Sequence, residues 1–154
     1  MHKNQIREII EELIDTFLYA GKLSLKLREQ GLIKQIKDDN TPVSNGDLEV
    51  NRILIEKIKV LTPDIPIVSE ETTHNKTKKD LINFWLIDPI DGTYDYINNL
   101  DEFTLNAGLI INKQAVAGII YAPAKNRLFY SYGKNNSFEK IGNSIQKMDT
   151  SKNS

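Results

Sequence analysis

The chain has 154 residues, 40% of them hydrophobic and 27% charged, a composition that suits one globular domain with a sizeable core. Its 20 Lys and Arg stand against 21 Asp and Glu, so no strong field marks a nucleic acid polymer or an anionic membrane as partner. There is no cysteine, which excludes disulfides, thiolate nucleophiles and thiolate metal sites.

The segment from Met1 to Ala20 carries Lys3, Arg7, Glu8, Glu11, Glu12 and Asp15. No secretory h-region fits there, and no apolar run of transmembrane length occurs further on. A cytoplasmic protein is expected, in which the sequons Asn75-Lys76-Thr77 and Asn135-Asn136-Ser137 carry no glycan. In the same segment Ile6, Ile9, Ile10, Leu13, Ile14, Phe17 and Leu18 form the apolar stripe of an amphipathic helix. That helix is expected to run on through Leu23 and Leu27 and to stop near Gly31. Ile33 to Val43 reads as polar and turn-rich. Ser44, three residues before Asp47, gives a capping-box-like start to a second helix. Val50, Ile53, Leu54, Ile58 and Leu61 continue it, and Pro63 ends it.

The period then changes. Ile65 to Val68 is short and β-branched and predicts a strand, and Ser69 to Asp80 a polar loop. Phe84 to Ile87 predicts a buried strand that ends at Asp88, with Pro89 stopping the ladder because it has no N–H. Leu105 to Ile111 and Gln114 to Tyr121 flank Asn112-Lys113, a hairpin turn, and Arg127 to Tyr132 predicts another strand. The polar tail from Met148 to Ser154 is expected to be disordered, leaving residues 1–147 as the domain. Two helices followed by mostly adjacent strands indicate an α+β layer fold. His2 and His74 stand isolated among polar residues and are assigned no catalytic role.

The stretch that carries chemistry is Trp85-Leu86-Ile87-Asp88-Pro89-Ile90-Asp91-Gly92-Thr93. A buried strand delivers Asp88 at its carboxyl end, and Asp91 can point back to the same place. Gly92 permits a tight turn, and Thr93 to Ile97 can start a helix. Two carboxylates beside free backbone donors suit a hard cation together with an anion, and phosphate bridged by magnesium is such a pair. An arbitrary Asp-x-x-Asp more often just caps a turn. The full Asp-Pro-x-Asp-Gly-Thr pattern, at about one in twenty per fixed residue, arises by chance on the order of once in ten thousand such chains.

That pattern after Trp85 resembles the signature of the inositol monophosphatase superfamily. Ser69-Glu70-Glu71, about twenty residues upstream, is similar to the family's metal-binding glutamate segment, and Lys37-Asp38-Asp39-Asn40-Thr41-Pro42-Val43-Ser44 running to Asp47 is a third match. Read alone, Asp47 is a helix N-terminal acid worth a few tenths of a kcal/mol. Within the superfamily the chain looks most like the CysQ-type 3'(2'),5'-bisphosphate nucleotidases, through Thr41-Pro42-Val43, Leu61-Thr62-Pro63-Asp64-Ile65-Pro66, Glu102-Phe103-Thr104-Leu105-Asn106 and Tyr121-Ala122-Pro123. It departs from their pattern in three places. Thr41 and Ser44 exchange hydroxyl types, Gly46 stands where alanine is common, and Tyr94-Asp95-Tyr96 replaces Lys-Glu-Phe.

The resemblance implies the amino-terminal α+β domain of the family's fold, with two helices packed on a mostly antiparallel sheet. It implies Mg2+ as cofactor, two or three ions in a complete site, held by Glu70, Asp88 and Asp91 and by the carbonyl oxygen of Ile90. Thr93, supported by Asp47, would orient the attacking water, with Glu70 also counted in the catalytic set. The N–H groups of Gly92 and Thr93 would hold phosphate oxygens of a small phosphorylated metabolite. Family members continue into a second α/β domain, whose Trp-Asp-x-Ala-Ala-Gly-like motif completes the metal site. No Trp-Asp pair occurs in this sequence, whose one tryptophan is Trp85. The expectation is therefore the first half of a phosphomonoesterase, weakly active or inactive alone. It would act on 3'-phosphoadenosine 5'-phosphate or, alternatively, on inositol 1-phosphate. It could equally be a non-catalytic remnant, or one chain of a split enzyme whose partner chain supplies the rest. Such a half would expose an apolar contact surface and an open sheet edge after Tyr132, and would form homo-oligomers.

Overall fold

A computed structural model describes residues 1–71 and 81–149. Most of the Ser69 to Asp80 loop, with His74, and the end of the Met148 to Ser154 tail lie outside the described residues. Helix α1 spans Lys3–Gln30 and buries Ile6, Ile10, Leu13, Phe17, Ala20 and Ser24 along one stripe. It ends at Gly31, whose φ of 94° is open to glycine and whose N–H returns to the Arg28 carbonyl. Helix α2 spans Asn45–Leu61 and starts in the expected capping box: the Ser44 side chain accepts from the Asp47 N–H while the Asp47 carboxylate accepts from the Ser44 N–H.

The segment read as turn-rich between them forms two short antiparallel strands, β1 (Lys34–Ile36) and β2 (Pro42–Ser44). All three β1 residues are exposed, so they carry no burial pattern by which sequence could mark them.

The main sheet has the order β3-β4-β5-β6-β7-β8-β9. Its strands are β3 (Ile67–Ser69), β4 (Phe84–Asp91), β5 (Thr104–Ile111), β6 (Gln114–Ala122), β7 (Arg127–Ser131), β8 (Ser137–Ile141) and β9 (Ser144–Lys147). Among the described residues only β3 and β4 pair in parallel; the other strand pairs of this sheet are antiparallel. Asn112 and Lys113, both at positive φ, turn the β5–β6 hairpin as expected. The five-residue helix α3 (Thr93–Ile97) follows β4.

α1 and α2 cover one face of this sheet. Leu13, Phe17, Val50, Leu54 and Ile58 from the helices and Trp85, Ile87, Leu105, Leu109 and Ile119 from the strands make one core. Trp85 is fully buried and donates from Nε1 to the Thr62 hydroxyl at 2.9 Å, so its polar atom enters the core satisfied. On the opposite face Leu86 and Ile120 remain 40% and 45% exposed.

Three expectations need correction. β4 does not end at Asp88: pairing with β5 is irregular between Asp88 and Asp91 and then resumes. Asp88 faces Asn106 and Asp91 faces Thr104, so three steps on β4 match two on β5. Pro89 sits inside this bulge, where its missing N–H breaks no ladder bond. The sheet also continues past Tyr132 into β8 and β9, so among the described residues its carboxyl-terminal edge strand is β9, whose four residues are all exposed. Ser137 to Lys147 mixes polar and apolar residues on both faces, and neither face is deeply buried, which hides the strand period. Met148, placed in the tail by sequence, is tied back by its N–H to the Ser137 carbonyl at 2.7 Å.

Candidate functional site

The bulge in β4 decides where the acids point. Asp88 and Asp91 are three residues apart and would face opposite sides of an unbroken strand. Their partners Asn106 and Thr104 are two apart and share a face, and the Asn106 amide donates to the Thr104 hydroxyl at 3.0 Å. The extra residue therefore brings Asp88 and Asp91 to the same side, away from the helices. Asp88 is half-buried and Asp91 exposed.

Glu70 arrives from the neighbouring strand. β3 runs parallel to β4 with Ser69 beside Ile87, and the Glu70 N–H donates to the Ile87 carbonyl at 3.1 Å. Glu70 itself is exposed. Burial is the main cause that lifts the Asp88 carboxyl to about 7, and the charges of Glu70, Asp91, Glu71 and Asp47 add to it. Four other carboxylates thus crowd one carboxylate whose own charge is already poorly solvated.

The hydroxyl end of the site is built from α2. Asp47 is completely buried. Its Oδ2 accepts from the Ser44 N–H at 2.9 Å and from the Ser44 hydroxyl, and its Oδ1 stands 2.8 Å from the Thr93 hydroxyl. The same hydroxyl lies 3.2 Å from the Ile90 carbonyl oxygen. Gly92 links Asp91 to Thr93 with φ 87° and ψ 41°, a left-handed conformation that disfavours any Cβ. A Cβ there would stand 2.7 Å from the Glu102 carbonyl oxygen.

All the residues named from sequence, Asp47, Glu70, Asp88, Ile90, Asp91, Gly92 and Thr93, fall in this one region. Thr93 meets Asp47 directly, while Glu70, Asp88 and Asp91 meet through their charges. No set of three His, Cys, Asp or Glu side chains among the described residues forms a ready metal cage. The donors are nonetheless hard carboxylate and carbonyl oxygens, which fits a cation such as Mg2+ in chemical type.

Sequence reasoning assigned no role to Glu71, Lys37, Asn51 or Ser69. The Glu71 side chain is 4% exposed and pairs with Lys37 Nζ at 3.5 Å. Burial chiefly raises its carboxyl, against the pull of Lys37. Ser69 and Asn51, both buried, hydrogen bond to each other. The Lys37 and Glu71 motifs were visible in sequence, but nothing there shows that they touch.

The sequence profile of the inositol monophosphatase family matches residues 5–154. The chain belongs to that family. Among curated members of the inositol monophosphatase family, it is 34% identical over 144 residues to the 3'(2'),5'-bisphosphate nucleotidase CysQ of Haemophilus influenzae, covering 90% of this chain and 54% of that protein. It is 35% identical over 125 residues to the CysQ of Aggregatibacter actinomycetemcomitans, covering 80% of this chain and 46% of that one. Among solved structures of the family, CysQ from Bacteroides thetaiotaomicron superposes with a TM-score of 0.62 at 27% identity, over 88% of this chain and 50% of that one. The extragenic suppressor protein suhB of Bartonella henselae, at 21% identity, shares the fold with a TM-score of 0.76 over 86% of this chain and 52% of that one. The chain spans about half the length of these relatives. Among the described residues no helix is long and apolar enough to cross a membrane.

Proposed function

We propose that residues 1–147 form the metal- and phosphate-binding domain of a magnesium-dependent phosphomonoesterase of CysQ type. The reaction is removal of the 3'-phosphate from 3'-phosphoadenosine 5'-phosphate, giving AMP and phosphate. The observation that carries this reading is the Thr93 hydroxyl held 2.8 Å from buried Asp47, one glycine away from Asp91, with Asp47 and Asp91 both among the charges that act on the Asp88 carboxyl.

Glu70, Asp88, Asp91 and the Ile90 carbonyl would hold Mg2+. When bound, the ions supply polarisation of the phosphate, activation of water near neutral pH and neutralisation of the leaving oxygen. The protein's own groups do the aiming. Thr93 donates its one proton to Asp47 and keeps its lone pairs for a water, which it orients toward phosphorus for in-line attack. Asp47 is fixed by Ser44, so the hydroxyl cannot turn away. The main-chain N–H groups of Gly92 and Thr93 would hold phosphate oxygens. No covalent nucleophile enters this chemistry. The bisphosphate preference rests on the similarity to proteins named 3'(2'),5'-bisphosphate nucleotidase CysQ.

The relatives are about twice as long as the matched region, so substrate closure and full turnover require the other half of the fold, in the same polypeptide or in a separate chain. The test is to supply that half, fused or in trans. Phosphate release from 3'-phosphoadenosine 5'-phosphate should then exceed that from inositol 1-phosphate and vanish with Asp91→Asn. Preference for inositol 1-phosphate would reassign the substrate. No Asp91-dependent turnover in any format would leave a non-catalytic domain.

A further inference from the structure

Asp47 and Asn51 are four residues apart on α2, one turn of helix, on the same face. Both are buried, Asp47 at 0% and Asn51 at 3% exposure. Each takes one hydroxyl from a different arm of the site. Asp47 Oδ1 accepts from Thr93, which follows β4. Asn51 Oδ1 accepts from Ser69, the last residue of β3. Ser69 is 1% exposed, and its Oγ also stands 3.4 Å from the Glu71 N–H. The residue between Ser69 and Glu71 is Glu70.

We infer that Asn51 is a positioning residue for the carboxylate site, setting the Glu70–Glu71 arm against Asp88 just as Asp47 sets the Thr93 arm. This rests on the reading of Glu70 and Asp88 as cation ligands. The physical reason is that Glu70 is exposed, so its place relative to Asp88 comes from its main chain. That main chain is pinned on one side by the Ile87 carbonyl and, one residue earlier, by the Ser69 hydroxyl on Asn51. β3 is only three residues long and pairs in parallel with β4, and the bond to Asn51 ties its last residue to α2. Together the two anchors make α2 a rigid bar that fixes the distance between the two halves of the site. The carboxylates repel one another, and an unanchored arm would relax outward. Outer-shell partners of this kind change metal affinity by about tenfold or more when removed.

The experiment measures Mn2+ binding to the 154-residue chain by loss of the free-ion electron paramagnetic resonance signal, alongside thermal melts in chelator. Asn51→Ala and Ser69→Ala should each weaken Mn2+ binding about tenfold, and the double variant should be no weaker than either single one. Ser69→Ala deletes a single atom and keeps the test open if Asn51→Ala does not fold. Thr62→Val, which removes the buried bond to Trp85 far from the carboxylates, should lower the melting temperature and leave Mn2+ affinity unchanged. Mn2+ binding by Asn51→Ala equal to wild type, while Asp88→Asn loses it, would overturn this inference alone. An equal loss in Thr62→Val would overturn it as well, by making the effect one of general stability. Equal binding by wild type and Asp88→Asn would overturn the cation site and this inference with it.

Discussion

Gly46 on α2 lies directly against the hydroxyl of Tyr96 on α3: a Cβ at position 46 would stand 2.1 Å from the Tyr96 oxygen and 2.7 Å from the ring. Tyr96 cannot step aside. It is fully buried, its hydroxyl donates to the Ser24 carbonyl at 2.7 Å, and its ring packs 4.9 Å from that of Phe103. Gly46→Ala should therefore destabilise the domain by ~1–3 kcal/mol through overpacking, exceeding the gain of about 1 kcal/mol that alanine brings to a helix. Tyr96→Phe alone should cost about 1 kcal/mol for the lost hydrogen bond. The double variant should recover part of the alanine penalty, because only the nearest clashing atom is removed. Urea melts of the four proteins give the coupling energy, and strict additivity would reject the contact.

Stability should fall as pH rises from about 4 to 7 in metal-free protein. Asp88 is raised to about 7 by burial and by the neighbouring carboxylates. In that window the folded chain therefore holds a proton that the unfolded chain has released. The native state is favoured at the acid end, and this advantage is lost as pH passes through the folded pKa. Asp88→Asn should flatten this part of the profile. Divalent cations, which compete with the proton, should bind more tightly across the same rise. Melts in chelator at a series of pH values, with and without the substitution, provide the check.

Gly92→Ala should be more damaging than an ordinary left-handed glycine replacement. Gly92 has φ 87° and a backbone carbonyl 2.7 Å from where the Cβ would sit. Gly142 also has positive φ, 58°, but nothing lies within 4 Å of its Cβ position. Gly142→Ala should cost roughly 1–2 kcal/mol for the conformation alone. Gly92→Ala should cost more and also blunt the thermal response to Mg2+, because the Asp91–Thr93 turn must move. Equal losses for the two, by denaturant titration, would contradict the close approach of Glu102.

The 154-residue chain should self-associate. Leu86 and Ile120 stand open on the sheet face away from α1 and α2, and β9 leaves an exposed edge of the kind that pairs with other chains. Interfaces between domains commonly bury ~600–1,500 Å², and apolar patches above a few hundred Å² are unusual on monomers. Sedimentation velocity over a wide concentration range should show oligomers that weaken with Leu86→Lys or Ile120→Lys. A strictly monomeric chain would reject the prediction.

Local pattern determined much of this protein. The three-to-four spacing from Ile6 to Phe17 specified α1, and Ser44 with Asp47 specified the start of α2, because both signals sit within one or two turns of chain. Asp88-Pro89-Ile90-Asp91-Gly92-Thr93 pointed to the candidate site for the same reason. What tertiary structure decided lies between segments distant in sequence. The bulge that turns Asp88 and Asp91 to one side exists only because β5 supplies Asn106 and Thr104 as partners two residues apart. Gly46 and Tyr96 read as separate departures from the family pattern and are one packing unit. Thr93 reaches Asp47 across 46 residues, and Ser69 reaches Asn51 across 18. A side chain's periodicity reports which face it shares with its own element, but the partner it meets is set by how elements stack. Only the packing of α2 against the ends of β3 and β4 could bring these hydroxyls and carboxylates to one place.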